Sequence, residues 1–236
     1  MSDIINSLES FNQDPIVGDT TLPTSEELRR RTADHFATQN RAVTQTDYEA
    51  LVYAMPEKFG SVKRCKIIRD PDSLRRNLNL YIISEDSSGK LVTTNNTIKE
   101  NVKTWLNTNK MISDTIDILD AKVVNVGIEF EVLVSEETNK FQILSDCNEA
   151  VRDIFLVTPY IGEPLYLTDV YSALNRLDGV VDTKRVNIVK KKGSDYSTVK
   201  FDLDEALSGD GRYLSVPQNV VLEIKYPDTD IKGAIV

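Results

Sequence analysis

Few residues in this chain are of a kind that does chemistry, and their spacing limits what they could do. His35 is the single histidine. It stands between Asp34 and Phe36 in a stretch of helical periodicity. Helix neighbours point about 100° apart, so Asp34 is badly placed to orient the ring. A nucleophilic pair with Cys65 or Cys147 would need tertiary approach, because neither thiol is near His35 in the chain. One histidine and two separated cysteines also fall short of a nitrogen- and sulfur-rich zinc site. Oxygen ligands are more plentiful. Asp70-Pro71-Asp72, Asp202-Leu203-Asp204-Glu205 and Asp228-Thr229-Asp230 each group carboxylates that a hard cation could use. None has the calcium-loop spacing with its glycine and terminal glutamate. Aspartates in such positions are read more simply as turn caps that accept from their own following amides.

Other signatures of chemistry do not appear. The glycine spacings that cradle phosphates, GxxxxGK[ST] and GxGxxG, are both missing, and Gly209-Asp210-Gly211 lacks their partner glycines. Asn95-Asn96-Thr97 fits a glycosylation acceptor by pattern, but Thr97 near a helix start reads as a cap. With 37 acidic residues in 236, any one carboxylate pair is uninformative about acid–base catalysis. The expectation is no catalytic residue, no metal and no cofactor. The net charge of −9, from 28 basic and 37 acidic residues, disfavours nucleic acid and anionic membrane as partners. Arg29-Arg30-Arg31 and Lys190-Lys191-Lys192 read as solvated faces. No apolar run approaches the ~20 residues of a membrane span, and the first residues have no signal-peptide pattern. Cys65 and Cys147 belong to no CxxC pair and are expected as buried free thiols, in a protein folded in a reducing cytoplasm.

The elements that would hold these residues follow from periodicity. Residues 1–22 carry Pro15 and Gly18 with no sustained period and read as a linker or the end of a preceding domain. Thr24 and Glu27 have capping-box spacing, and Leu28, Thr32, Ala33 and Phe36 mark one helix face. A second helix is expected from Thr46, paired with Glu49, with Tyr48, Leu51, Val52 and Met55 on one side and Pro56 at its end. Val62–Arg69 and Leu78–Ser84 read as strands. A helix over Thr97–Leu106 shows Ile98, Val102, Trp105 and Leu106. Val124–Val134 is the clearest strand, and Phe141–Phe155 a helix with Leu144, Val151, Ile154 and Phe155 on one side. A helix from Thr168 to Leu174, closed by Asp178-Gly179, precedes strands at Val181–Val189, Val199–Leu203 and Val220–Tyr226. The fold class is α+β, with two small mixed sheets and helices packed on them as helix–strand units.

Several of these phrases occur together in a known family. Pro23 through Arg31, then Phe36, then Arg41-Ala42-Val43-Thr44-Gln45-Thr46-Asp47-Tyr48-Glu49-Ala50-Leu51, then Gly60-Ser61-Val62, resemble the baseplate J-like family of contractile phage tails. Gly162 through Asp169 and Leu177-Asp178-Gly179-Val180 resemble its second helix–strand unit. The resemblance runs over about residues 23–236 and is nearest to the C-terminal part of a baseplate wedge protein of T-even-type phages. The portion that usually precedes the Leu-Arg helix is missing, which implies a piece of a longer polypeptide. The family offers no enzymatic residues to carry over. The resemblance implies a non-enzymatic structural subunit of the virion tail baseplate, assembled in the host cytoplasm. It would form a homodimer, join other wedge proteins in a ring around the tail hub, and rearrange when the sheath contracts.

On this reading residues 23–160 form the baseplate J-like domain and 161–236 a C-terminal α+β domain that dimerises. The C-terminal strand and the apolar tail behind it suggest the contact, with Val220, Leu222, Ile224, Tyr226, Ile231 and Ile235 as interface candidates. Two other classes stay open on the residues alone: an intracellular binding or adaptor module, and a carboxylate- or metal-dependent hydrolase.

Overall fold

The structure is a computed structural model, and it describes residues 18–19, 21–71, 77–135 and 139–236. These divide into two compact units. The first takes in the described residues up to Lys63, with Arg69–Leu78 and Ile82–Ile118; the second takes in Arg64–Ile68, Asn79–Tyr81 and Leu119–Val236. Residue 160, the expected domain boundary, lies inside the second unit.

Helix α1 (Ser25–Thr38) begins where the sequence predicts, with Thr24 and Glu27 closing a reciprocal capping box. Helix α2 (Gln45–Tyr53) begins earlier than expected. Its cap is Thr44, whose hydroxyl accepts from the Asp47 amide at 3.2 Å, not Thr46 with Glu49. Asp47 wins this role because its carboxylate accepts from both Thr44 N and Val43 N, at 2.8 and 3.1 Å. Tyr48, Leu51 and Val52 are buried as predicted. Helix α3 (Asn96–Asn107) buries Ile98, Val102 and Leu106. Its cap is Asn95, which accepts from the Thr97 amide at 2.9 Å, so Thr97 is the capped residue and not the cap. The Trp105 indole donates to the Leu51 carbonyl at 2.8 Å and ties α3 to α2.

The first four-stranded sheet has the order β1 (Arg64–Arg69), β2 (Asn77–Glu85), β3 (Leu91–Val92), with β4 (Thr115–Asp120) also on β2. Strands β3 and β4 carry too short or too polar a pattern to stand out in the sequence. Asp72, part of one carboxylate cluster, lies outside the described residues.

The second four-stranded sheet is built on β5 (Lys122–Val134). Strand β7 (Val180–Lys190) runs antiparallel to its Val126–Val134 stretch. On the other side, β9 (Val220–Glu223) pairs in parallel with Lys122–Asn125, and β10 (Ile231–Ile235) with Ile128–Val132. The expected apolar tail is therefore a strand of the sheet. Helices α4 (Lys140–Ile154) and α5 (Leu167–Leu174) cover one face. Ile143, Cys147 and Val151 of α4, and Val170 and Leu174 of α5, meet Ile128, Phe130 and Val132. Each such aliphatic side chain contributes about 1.5–3 kcal/mol by leaving water. Gly233 has no room for more: a Cβ there would lie 2.5 Å from the Phe130 ring and 2.7 Å from Leu144. A two-stranded ribbon of β6 (Leu165–Tyr166) and β8 (Tyr213–Leu214), and the single turns α6 (Leu203–Ala206) and α7 (Pro227–Asp230), complete the unit. The α+β class with small mixed sheets stands.

One expected strand, Val199–Leu203, does not form. The Lys190 ammonium takes the Val199 and Phe201 carbonyls, at 2.6 and 3.3 Å, so a side chain occupies acceptors that a ladder would have used.

Candidate functional site

The densest polar grouping surrounds Asp230, which is 1% exposed. Tyr196 donates its hydroxyl to Oδ1 at 2.7 Å, the Tyr226 amide donates to Oδ2 at 3.0 Å, and Lys191 Nζ lies 3.7 Å from Oδ1. A carboxylate, a phenol and an ammonium make an acid–base trio by type, but their wiring is structural. The bond to Asp230, with burial behind it, raises the Tyr196 pKa above its usual 10.0 and makes it a poorer proton donor. The trio ties the 193–196 turn and α7 to the sheet, and Tyr196 meets Tyr226 edge-on at 5.7 Å.

Three other buried polar groups have the same character. Lys63 pairs with Glu85 at 2.7 Å and approaches Asp19 at 3.5 Å. Arg64, 1% exposed, grips the Thr158 carbonyl through Nε and Nη2 at 3.1 and 2.7 Å and lies over the Tyr160 ring. Tyr48 donates to Asp114 at 2.7 Å. Each buried charge thus has a partner where a lone one would be very costly.

The residues singled out for chemistry are dispersed. His35 is exposed in the last turn of α1. Cys65 and Cys147 are both buried and unbridged. Burial, then the nearby Asp146 charge, pushes the Cys147 thiol up to about 11. Asp202 caps α6, accepting from Asp204 N at 3.0 Å. Asp228 pairs with Arg152 while its neighbour Asp230 turns inward, so that cluster does not converge on one point. Asp210 caps the Gly209–Gly211 turn, and the bond from Ser208 holds its carboxyl below the usual 3.8. Among the described residues no three His, Cys, Asp or Glu side chains gather as a metal cage, and no helix is long and apolar enough to cross a membrane.

No family model matches the sequence, and no curated protein matches it. A solved structure does. One chain of the cryo-EM structure of the anti-feeding prophage (AFP) baseplate, sixfold symmetrised, is similar with a TM-score of 0.52 and 12% identity. The match covers 86% of this chain and 42% of that one, so this chain spans less than half of its structural neighbour. What is common to the two at that identity is the fold.

Of the six interface candidates, Val220, Leu222 and Ile231 are buried in the chain's own cores, and Ile224 and Ile235 pack half-buried against them. Tyr226 is half-buried beside Tyr196. Their side chains are largely spent inside the second unit. What the C-terminal strand still presents is its outer edge, since among the described residues β10 pairs only with β5.

Helix α1 turns its apolar row away from the rest of its unit. The face toward the rest of its unit carries Glu27, Arg31, Asp34 and Thr38, while Leu28 and Phe36 are 50% and 86% exposed. Arg31 stacks over the Tyr53 ring at 4.3 Å, which draws the polar side inward. Periodicity alone finds such a stripe but cannot tell whether it faces in or out.

Proposed function

We propose that this chain is a structural, non-catalytic subunit of a contractile-tail baseplate, of the wedge kind. It works by holding neighbours together in a ring around the tail hub and by changing its contacts when the sheath contracts. The observation that carries the reading is the shared fold with an AFP baseplate chain over 86% of this sequence. The phrases around Leu28–Arg31, Thr44–Leu51 and Gly162–Asp169 point independently to the baseplate J-like family. Fold likeness alone is a weak guide to function, and the agreement of the two lines is what gives it weight.

The same proposal has the chain act as a homodimer through its C-terminal region, with other wedge proteins as further partners. The contact would run along the free edge of β10, where backbone donors and acceptors can continue the sheet into a second copy. Exposed Ala234 and Val236 flank that edge.

Antibody labelling of purified tail particles tests the role. Label at the baseplate end of the tail supports it, and particles that contain none of this chain rule it out. Sedimentation over a wide concentration range tests the dimer. An Ala234→Arg, Val236→Asp variant should shift the equilibrium toward monomer with an unchanged melting temperature. If the variant associates as the parent does, the β10 edge is not the contact.

A further inference from the structure

Helix α4 carries an aromatic side chain that its own unit leaves bare. Phe141, in its first turn, is 85% exposed. At i, i+4, i+7 and i+11 it shares one flank of the helix with Ser145, Asn148 and Arg152. That flank adjoins β10. Ser145, Asn148 and Arg152 form one wall of a groove of about 400 Å³, and Pro227, Asp228 and Ile231 form the other. Phe141 stands on the same helix ahead of the groove, so the ring cannot enter it within its own chain.

Ring and groove do meet across a twofold axis. A strand that pairs with its own copy about such an axis runs antiparallel to it, and the midpoint of β10 is Gly233. Leu144 marks the same level on α4, because a Cβ on Gly233 would lie 2.7 Å from its Cδ1. An axis at that level sets two copies of α4 antiparallel about positions 144 and 145. Phe141 is then level with Asn148 of the other copy, at the groove. The lateral spacing suits this. Ile143, Cys147 and Val151 of α4 share one core with Ile128, Phe130 and Val132 of β5 and Ile231 of β10, so the helix is seated over both strands. With strands ~4.8 Å apart, a helix between them meets its twofold copy at about 10 Å, the distance of packed helices.

We infer that a second copy of this chain fills the groove, each copy placing its Phe141 ring against Asn148 and Ile231 of the other. This rests on the homodimer along β10 proposed above and adds a side-chain anchor to a backbone contact. Area favours the same occupant. The edge of a five-residue strand falls well short of the ~800 Å² per partner of a specific interface, and each buried phenylalanine adds roughly 150–250 Å². A peptide strand from another protein would satisfy the β10 backbone but leave Phe141 in water.

Sedimentation and cysteine linkage in the full chain test the inference. Phe141→Asp, at an exposed position, should melt as the parent does at concentrations where both are monomeric. It should raise the dimer dissociation constant tenfold or more, as loss of a central aromatic anchor does. Ser145→Cys stands near the axis and should link two chains under mild oxidation, Cys65 and Cys147 being buried. Asp153→Cys, on another flank of α4, should not. The two readings fail differently. If Ala234→Arg, Val236→Asp weakens the dimer while Phe141→Asp does not and Ser145→Cys stays unlinked, the edge contact stands and the α4 anchor is overturned. A parent chain that is monomeric at every concentration overturns both.

Discussion

Single residues in this protein chiefly hold the fold together, and Cys147 shows how. It lies 0% exposed against the β5–β7–β10 sheet, where a thiol behaves as a small apolar group. Burial makes its ionised form unfavourable, so the folded pKa of about 11 stands above the ordinary 9.0. The sign of the linkage follows. The folded state keeps this proton where the unfolded state loses it, so stability falls as pH rises from 9.0 toward 11. Urea midpoints measured across this range should decline more steeply for the parent than for Cys147→Ala. Parallel declines would mean that the thiol is solvated. In the native protein, Cys147 should also resist alkylating reagents at neutral pH and react on unfolding.

At the scale of elements, caps and partners decide where helices and strands begin. The competition between Thr44 and Thr46 can be measured directly. Thr44→Ala should cost about 1 kcal/mol, because it removes the bond to the Asp47 amide. Thr46→Ala, inside α2, should be neutral or slightly stabilising, since alanine is the better helix former. Equal losses would return the cap to Thr46. Acid adds a second signature. Burial disfavours the Asp47 carboxylate, but the hydrogen bonds from Thr44 and Val43 outweigh it and hold its pKa below 3.8. The cap's ionic share is therefore complete above 3.8 and is lost as pH falls through the lower folded value.

For the molecule as a whole, β5 is the strand on which the second unit depends, and its last partner arrives at the chain's end. Strand β10 brings Ile231 into the core, and the turn before it brings Asp230 to Tyr196 and Tyr226. Ending the chain after Tyr226 would remove all of these, along with every parallel pairing to Ile128–Val132. Such a truncation should lose the cooperative thermal transition of the second unit, read by near-ultraviolet circular dichroism, and not merely its self-association. A truncated chain that melts as the parent does would show that β10 is dispensable to the core. The surface variants at Ala234 and Val236 are for this reason the better probe of assembly.

Periodicity and local chemistry were enough to find the long elements. The α1 capping box, the buried side of α2, the Ile98–Val102–Leu106 face and β5 all follow from contacts within a few residues, which is the range a sequence pattern records. The choice of Thr44 over Thr46 rested on the Asp47 carboxylate reaching two amides, and the failure of Val199–Leu203 to pair rested on a lysine nine positions away. Short strands such as β3 and β4 exist because β2 is there to receive them. The C-terminal apolar residues were visible, but their packing was not: Val220, Leu222 and Ile231 are buried because β9 and β10 pair with β5. The same holds for α1. Its apolar row is written in the spacing of Leu28, Thr32 and Phe36, while its outward direction came from Arg31 finding the Tyr53 ring. A helix repeats identically under rotation about its axis, so which side is buried is settled by what it packs against and not by its own sequence.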